Sequence, residues 1–237
     1  MNDTRHYRMY IDGEWVDTDS HHQIHAPATG EVSATVAHGT VEHTDRAVEA
    51  AARAHRDGVW RNKTPQERAD ILERMHEILL ARTPELAELV ASENGACVRQ
   101  GTAFHVGVAL GSLHYSAETC RTYPFEEDLG ESTIPLPAYG IIRHEPVGVV
   151  AAILPFNFPM VLGMWKIGPA LAAGNTMVVK PDEDTPLTLI AVAEAAHEAG
   201  LPPGVLRQWR PRPTTPAVWS WSRSSASPSA DRSAPGR

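Results

Sequence analysis

The stretch that most constrains this chain is residues 147 to 186. An apolar run at 147–154 is followed by a helical segment that ends near Ala173, and a second apolar run occupies 176–179. Strand, helix and strand within about forty residues form one βαβ unit. The sequence therefore predicts an α/β fold with a parallel sheet.

Polar residues follow both strands of this unit. Asn157 lies between Phe156 and Phe158 after the first strand, and Lys180 and Glu183 follow the second. Ligands bind at the carboxyl ends of strands in open α/β sheets, so these three polar residues are the candidate site. The alternatives are a turn residue for Asn157 and an exposed charge pair for Lys180 and Glu183.

Composition excludes several classes of protein. A net charge of −8 argues against nucleic acid as a partner, and no apolar run approaches the roughly 20 residues that span a bilayer. The first six residues have no apolar core of a secretory signal, and two cysteines form no disulfide framework. We expect a cytoplasmic, reduced protein.

The amino-terminal half is predicted to be mostly scaffold. Alternation around Asp12-Gly13 predicts a hairpin within 7–15, and residues 31–36 form another short strand. Helices are expected over 44–55, from Thr64-Pro65 onward, from Thr83-Pro84 to Gly95, and over about 101–122. Residues 123–132 are predicted to be an acidic loop, and 134–136 and 139–144 two short strands.

Histidines and cysteines in this half invite chemical roles. His21, His22 and His25 lie in a polar stretch, 17–31, where no cysteine or close carboxylate completes a metal site, so a solvated loop without metal is expected. Cys97 and Cys120 have no base nearby in sequence, and both are predicted to be buried or half-buried structural thiols.

The last 31 residues differ from the rest. Residues 207–237 contain six Arg, one Asp and no Lys or Glu, which leaves −13 on the other 206 residues. A third strand begins at Val205-Leu206 and is not continued. Seven Ser and five Pro without periodicity predict disorder over 207–237.

From about Tyr7 to Leu206 the chain closely resembles the amino-terminal part of the NAD(P)-dependent aldehyde dehydrogenase superfamily. Phe156 departs from the family pattern, which usually has Trp there. The motifs that carry the resemblance are Tyr10–Trp15, Ala26–Glu31, Arg143–Val149, Pro155–Pro159 and Trp165–Asn175.

The resemblance implies an incomplete Rossmann-like cofactor domain with an amino-terminal helical region and a projecting β-hairpin. Residues 1–127 would be the amino-terminal part of the cofactor-binding domain, and 128–146 a hairpin for dimer or tetramer assembly. Residues 147–206 would be the first βαβα part of the Rossmann-like domain, and 207–237 an aberrant tail.

The resemblance also assigns roles to the candidate site. Asn157 would donate to the oxyanion of a thiohemiacetal, because an amide donates without titrating. Lys180 and Glu183 would hold the adenosine ribose, and a carboxylate there favours NAD over NADP, although NADP remains possible. The resemblance further implies cofactor contacts and a substrate funnel for a small aldehyde, where core packing is an equal alternative for Trp165. The cofactor set is Ile153, Leu154, Pro155, Phe156 and Asp182, and the funnel set is Phe158 and Trp165.

Family chemistry also requires a cysteine nucleophile and a glutamate base downstream of Glu183, and neither is matched here. Residues 225–236, read one frame over with GC-rich codons, can give a Phe-Ser-Gly-Ser-type turn like the family's pyrophosphate turn. The sequence therefore predicts a frameshift near codon 207, either in the gene or in its sequencing, and a truncated chain that is inactive alone. A non-catalytic fragment that joins full-length relatives, or a non-functional product, is the alternative, and an exposed edge after residues 176–179 predicts poor solubility.

Overall fold

The computed structural model describes residues 4–133 and 135–208 of the chain. Its secondary structure alternates between short strands and longer helices. The strands are β1 (Arg5–Tyr7), β2 (Met9–Ile11), β3 (Glu14–Val16), β4 (His21–His25), β5 (Val32–Ala37), β6 (Glu126–Ser132), β7 (Ala138–Arg143), β8 (Val149–Ile153), β9 (Thr176–Lys180) and β10 (Leu206–Gln208). The helices are α1 (Val41–Arg56), α2 (Pro65–Ala81), α3 (Thr83–Asn94), α4 (Val98–Gln100), a π-helical turn (Gly101–Val106), α5 (Gly107–Thr122), α6 (Pro159–Ala172) and α7 (Leu187–Glu198).

Local sequence signals explain where several helices begin and end. Thr64 accepts a hydrogen bond from the backbone N–H of Glu67, whose carboxylate accepts in return from the N–H of Thr64, so α2 begins with the predicted capping box. Helix α3 ends at Gly95, which has a φ of 79°, in the left-handed region that favours glycine. These predicted boundaries are confirmed.

The central sheet has five strands in the order β3-β2-β10-β9-β8. β8, β9 and β10 are parallel, and the β2–β3 hairpin joins β10 in antiparallel orientation. The hairpin turns at Asp12 and Gly13, both with positive φ, as the Asp-Gly pair predicts. The βαβ unit β8-α6-β9 is therefore confirmed.

Helices pack densely on the sheet to form the main core. Buried side chains from α2, α5 and α6, including Leu72, Leu113 and Met164, belong to one cluster with residues of β8 and β9. α6 approaches α5 closely at Gly168, where an added Cβ would lie 2.5 Å from the Ser116 hydroxyl. The packing of the core therefore holds α6 in place directly after the turn that contains Asn157.

Two segments predicted to be loops are strands. β4 lies inside the predicted polar loop 17–31 and pairs with β5, and β6 lies inside the predicted acidic loop 123–132 and pairs with β7. In β4 the exposed His21, Gln23 and His25 alternate with half-buried His22 and buried Ile24, but only Ile24 is apolar, so no apolar pattern marks this strand in the sequence. β6 shows no such alternation, since nearly all of its residues are exposed. The partner of β7 in the hairpin is thus β6, and residues 135 and 136 form no strand, while Ile134 lies outside the described residues.

The third strand of the parallel sheet begins at Leu206, as predicted, but the prediction that it is not continued is wrong. β10 continues to Gln208 and pairs with β9, so the fold extends past the predicted boundary at Leu206. The expected exposed edge after 176–179 is also wrong, since β9 lies between β8 and β10. Residues 209–237 of the predicted tail lie outside the described residues. Within residues 4–133 and 135–208, the helices are too short or too polar to cross a bilayer.

Candidate active site

The turn after β8 is held by its backbone. The carbonyl oxygen of Phe156 accepts a hydrogen bond from Asn94 Nδ2 at 3.0 Å and lies 3.4 Å from the Thr185 hydroxyl, which is placed to donate. Phe158 has a φ of 52°, an uncommon conformation for a bulky residue, and immediately precedes Pro159 at the start of α6. Three separate elements therefore determine the shape of this turn.

The side chains of the same turn face outward. Asn157 is exposed, as is Pro155, and Phe156 and Phe158 are 61% and 46% exposed. The ring of Phe158 stacks on His105 with centroids 4.5 Å apart. Burial lowers the pKa of His105, which favours the neutral imidazole. The turn therefore presents an amide donor between aromatic rings.

His105 is a contact that the sequence analysis missed. It lies in the π-helical turn before α5, a type of irregularity that often marks functional sites. Its only signal in the sequence is a histidine within an otherwise apolar helical stretch.

The second strand ends beside the first. Ile153 is paired in register with Lys180 across β8 and β9, so both strands end at one edge of the sheet. Asp182 and Glu183 follow in a short loop, and the N–H of Asp184 donates to Asp182 Oδ1 at 3.1 Å. Lys180, Asp182 and Glu183 are all half-buried, so ionised groups border this edge while retaining contact with water.

Not every predicted contact residue offers its side chain to a ligand. Leu154 is 2% exposed and packs in the core, while its N–H donates to the Lys180 carbonyl oxygen at 3.0 Å. Ile153 is half exposed at the strand end. Trp165 is 55% exposed on α6, which makes core packing, the alternative interpretation, wrong.

A buried carboxylate supports the loop after β9. Glu93 accepts hydrogen bonds from the N–H groups of Leu187 and Thr188 and from the Thr188 hydroxyl, and so caps the first turn of α7. Burial raises the pKa of Glu93 to about 7, and these hydrogen bonds act in the opposite direction. No sequence pattern predicts this contact, which joins residues 94 positions apart.

The two cysteines differ. Cys120 is buried and its thiol donates to the carbonyl oxygen of Ala172 at 3.3 Å, so its structural role is confirmed. Burial raises the pKa of Cys120, which disfavours the reactive thiolate. Cys97 is exposed, and its predicted burial is wrong, since it precedes α4 at the surface.

The family match covers most of the fold. The model of the aldehyde dehydrogenase family matches residues 15–209. The chain belongs to the aldehyde dehydrogenase family. Arg207 and Gln208, which the sequence analysis assigned to an aberrant tail, thus lie inside both the matched region and the sheet of this aldehyde dehydrogenase family chain.

Curated relatives include a phenylacetaldehyde dehydrogenase of Pseudomonas fluorescens, 40% identical over 84% of this chain and 41% of the relative. An aminoacetaldehyde dehydrogenase of Pseudomonas aeruginosa is 39% identical over 84% of this chain and 40% of the relative. The chain thus spans about two fifths of the length of the curated relatives it matches.

Solved structures of the family share the fold. An aldehyde dehydrogenase from Bacillus cereus in complex with NAD+ has a TM-score of 0.82 and 34% identity, over 88% of this chain and 42% of that chain. An aldehyde dehydrogenase mutant from Pseudomonas syringae, in complex with NAD+ and octanal, has a TM-score of 0.78 and 35% identity, over 87% and 41%. The incomplete aldehyde dehydrogenase fold predicted from the sequence is confirmed.

Proposed function

We propose that residues 4–208 are the amino-terminal part of an enzyme that oxidises an aldehyde to a carboxylic acid with NAD. The observation that carries this proposal is that β8 and β9 are parallel neighbours that end at one edge of the sheet, so that Lys180, Glu183 and the turn with Asn157 all follow that edge. Ligands bind at this edge in open α/β sheets. The names of the relatives, which act on phenylacetaldehyde and aminoacetaldehyde, support an aldehyde as substrate.

The residues at the strand ends fit the adenosine half of NAD. Lys180 and Glu183 would hold the ribose hydroxyls, with Ile153, Pro155 and Phe156 along the same edge. The half-buried position of the ammonium and carboxylate groups supports this, because both can reach a ligand without a full desolvation cost. A carboxylate accepts from a 2′-hydroxyl and repels a 2′-phosphate, which favours NAD over NADP. Bound NAD supplies the hydride acceptor.

Asn157 would act on the aldehyde carbonyl. Its amide donates a hydrogen bond to the oxygen that becomes negatively charged when a nucleophile attacks, and such a donor is worth about 3 kcal/mol of barrier. The backbone contacts from Asn94 and Thr185 to the preceding residue support this role, since an oxyanion donor works best when it is fixed in advance. Phe158 and Trp165 would border the path of the aldehyde.

The nucleophile would come from outside these residues. Cys120 is buried with a raised pKa, and Cys97 is exposed at the start of α4, away from any matched catalytic motif. We therefore propose that the 237-residue chain is inactive alone, as expected if the reading frame shifts. We propose that this shift lies after codon 208 and not near codon 207, and the pairing of Gln208 with Tyr10 in the sheet supports this position.

An assembly role is the second candidate. The β6–β7 hairpin exposes Leu129, Tyr139 and Ile141 by more than half of each side chain. Exposed apolar groups on a hairpin suit a contact between subunits, so a dimer or tetramer of the complete enzyme is part of the proposal. Under this second candidate the chain would join full-length relatives without catalysing.

Two free thiols support a reducing, cytoplasmic location.

Three measurements test the proposal. Purified chain is assayed for NAD-linked oxidation of phenylacetaldehyde, and no turnover is expected. Turnover that Asn157→Ala abolishes would overturn the inactivity, while unfolding of that variant is not expected because Asn157 is exposed. The DNA after codon 208 must encode, in another frame, a Phe-Ser-Gly-Ser-type turn and a later cysteine, or the frameshift is wrong.

The cofactor role is tested by binding. NAD and NADP are titrated against the chain by calorimetry, and we expect weak binding of NAD and weaker binding of NADP. Glu183→Gln should narrow the difference between the two nucleotides, and Lys180→Ala should weaken both. Equal binding of both nucleotides by the unaltered chain would contradict the role of Glu183. Co-purification with a full-length relative would favour the assembly role.

A further inference from the structure

Two imidazoles and a carboxylate meet on the amino-terminal sheet, which has the strand order β1-β5-β4. His6 Nε2 lies 3.0 Å from Asp17 Oδ1, and His21 Nε2 lies 3.4 Å from the same oxygen. One nitrogen from each ring and a carboxylate oxygen all lie within 4.8 Å of one another. The three side chains are between about one third and one half exposed, so ions from solvent can reach them.

The fold assembles this cluster from distant positions. β1 and β4 pair with opposite sides of β5, and Asp17 follows the neighbouring hairpin. The sequence analysis rejected a metal site near His21 because it lacked a close carboxylate. That rejection took β4 for a loop and did not include His6, so the structure reopens the question.

Outer contacts orient two of the three groups. His6 Nδ1 is 2.9 Å from the Thr35 hydroxyl, which leaves Nε2 directed at Asp17. The N–H of Thr18 donates to Asp17 Oδ1 at 2.8 Å. Such outer contacts are typical of metal ligands.

We propose that His6, Asp17 and His21 form a binding site for a divalent metal of the Zn²⁺ type. Zinc binds imidazole nitrogen and carboxylate oxygen at about 2.0–2.2 Å, so tetrahedral ligand atoms are about 3.3–3.6 Å apart. The distance from His21 Nε2 to Asp17 Oδ1, 3.4 Å, lies in this range, the distance from His6 Nε2, 3.0 Å, is slightly shorter, and water would complete the coordination. This site lies on a different sheet from the candidate active site.

A second cluster provides the internal comparison. Glu73, His76 and His114 also bring three ligand atoms within 4.8 Å, on α2 and α5. There the ring nitrogen Nδ1 of His76 is 3.3 Å from the carbonyl oxygen of Leu110, and His114 Nδ1 is 3.0 Å from Glu73. Among these contacts, no Glu73 oxygen lies close to both His76 and His114, so this cluster matches a tetrahedral site less well.

The test is a titration of the full chain, free of any affinity tag, with ZnCl₂ at pH 7.5 by calorimetry. A Cys97→Ser background removes the exposed thiol. We expect one site of micromolar affinity, and a tetrahedral visible spectrum when Co²⁺ replaces Zn²⁺. His21→Gln and Asp17→Asn should each weaken binding at least tenfold, and Thr35→Val, which removes an outer contact, by about tenfold.

Two controls make the outcome decisive. His25→Gln changes another exposed histidine of β4, and His114→Gln disables the second cluster, so neither should alter the affinity. Circular dichroism checks that each variant folds. The proposal is overturned by loss of binding in His114→Gln alone, or by unchanged binding in both His21→Gln and Asp17→Asn. Absence of binding at 100 µM, about a hundred times a Kd of 1 µM, also overturns it.

Discussion

The two sides of strand β9 differ in how completely this chain covers them. On one side, β10 and the β2–β3 hairpin continue the sheet, and Arg207 is fully buried beside Asp12. On the other side, β8 has no further strand partner among residues 4–133 and 135–208. Val149 and Ile153 of β8 are 37% and 50% exposed.

The covered side and the open side therefore contribute differently to stability and to function. The covered side contains a buried charge that only a finished environment can stabilise. The open side presents apolar side chains and unpaired backbone groups, the type of edge that pairs with another strand. The candidate active site borders the open side, so the part proposed to act is the part that residues 4–133 and 135–208 leave uncovered.

The largest effect is expected on the covered side, from Asp12→Asn. Arg207 Nη2 bonds Asp12 at 2.9 Å with no solvent exposure, and burial lowers the pKa of Arg207 to about 10 despite that partner. Loss of the negative charge leaves a buried cation without a counterion and should reduce the free energy of unfolding by about 3 kcal/mol, measured by urea denaturation. Asn tolerates the positive φ of Asp12, so the backbone is preserved.

The matched control is Arg53→Met. Arg53 also bonds Asp12, at 2.6 Å, but its side chain is 48% exposed. Arg53→Met should therefore lower the free energy of unfolding by no more than about 1 kcal/mol. Equal losses in the two variants would mean that burial of Arg207 does not distinguish this side.

The next effect concerns Glu93, which caps α7, a helix that packs against β10 and β2 on the covered side. Glu93→Gln should lower the free energy of unfolding by about 1.5–3 kcal/mol, since a buried N–H then faces an amide group in place of a carboxylate. The measurement is the urea midpoint of both proteins.

The same pair of proteins tests the pH dependence. The folded pKa of Glu93, about 7, lies above the ordinary 4.5, so its contribution to stability is present below 4.5 and lost as pH rises through 7. The stability of the unaltered chain relative to Glu93→Gln should thus fall between pH 5 and pH 8. A rise over this range would show that the hydrogen bonds from α7, and not burial, set the pKa.

A smaller effect tests the packing of α6 under the open side. In Gly168→Ala the new Cβ would meet the Ser116 hydroxyl and lie 3.0 Å from the Ser116 Cβ, which cannot rotate away. Overpacking should outweigh the helical preference of alanine and cost a net of about 1–2 kcal/mol in thermal or urea unfolding.

Gly111→Ala is the control for this helix pair. It lies on α5 with nothing within 4 Å of an added Cβ, so it should stabilise the chain by about 0.5 kcal/mol or more. Equal changes in the free energy of unfolding for the two alanine variants would show that the close approach of α5 and α6 at Gly168 has no effect on stability.

The smallest effect is expected at the open edge, and the same substitution on the covered strand β9 provides the comparison. Val149→Thr on the open edge should change the free energy of unfolding by less than about 0.5 kcal/mol. Val178→Thr on β9, where the valine is 6% exposed, buries a hydroxyl and should cost about 1–3 kcal/mol. Equal costs in urea denaturation would show that β8 is covered in solution, for example by a second molecule.

Local patterns were sufficient wherever neighbours in sequence are neighbours in space. The Thr64 capping box, the Asp12-Gly13 turn and the β8-α6-β9 unit were all predicted, because each depends on spacing of a few residues or on one apolar run. The motif order of the family likewise appears in the sequence, and so do the candidate residues Asn157, Lys180 and Glu183.

Only the tertiary structure decided the features that depend on partners far along the chain. The strands β4 and β6 pair with β5 and β7, but each has a single large apolar residue, so no apolar alternation marks either strand in the sequence. In the sequence, Arg207 was interpreted as part of a basic tail. In the structure its counterion is Asp12, 195 positions away, and Arg207 lies within the sheet. Burial and charge compensation are properties of the folded environment, so a charged residue alone cannot indicate whether it ends a strand or lies within one.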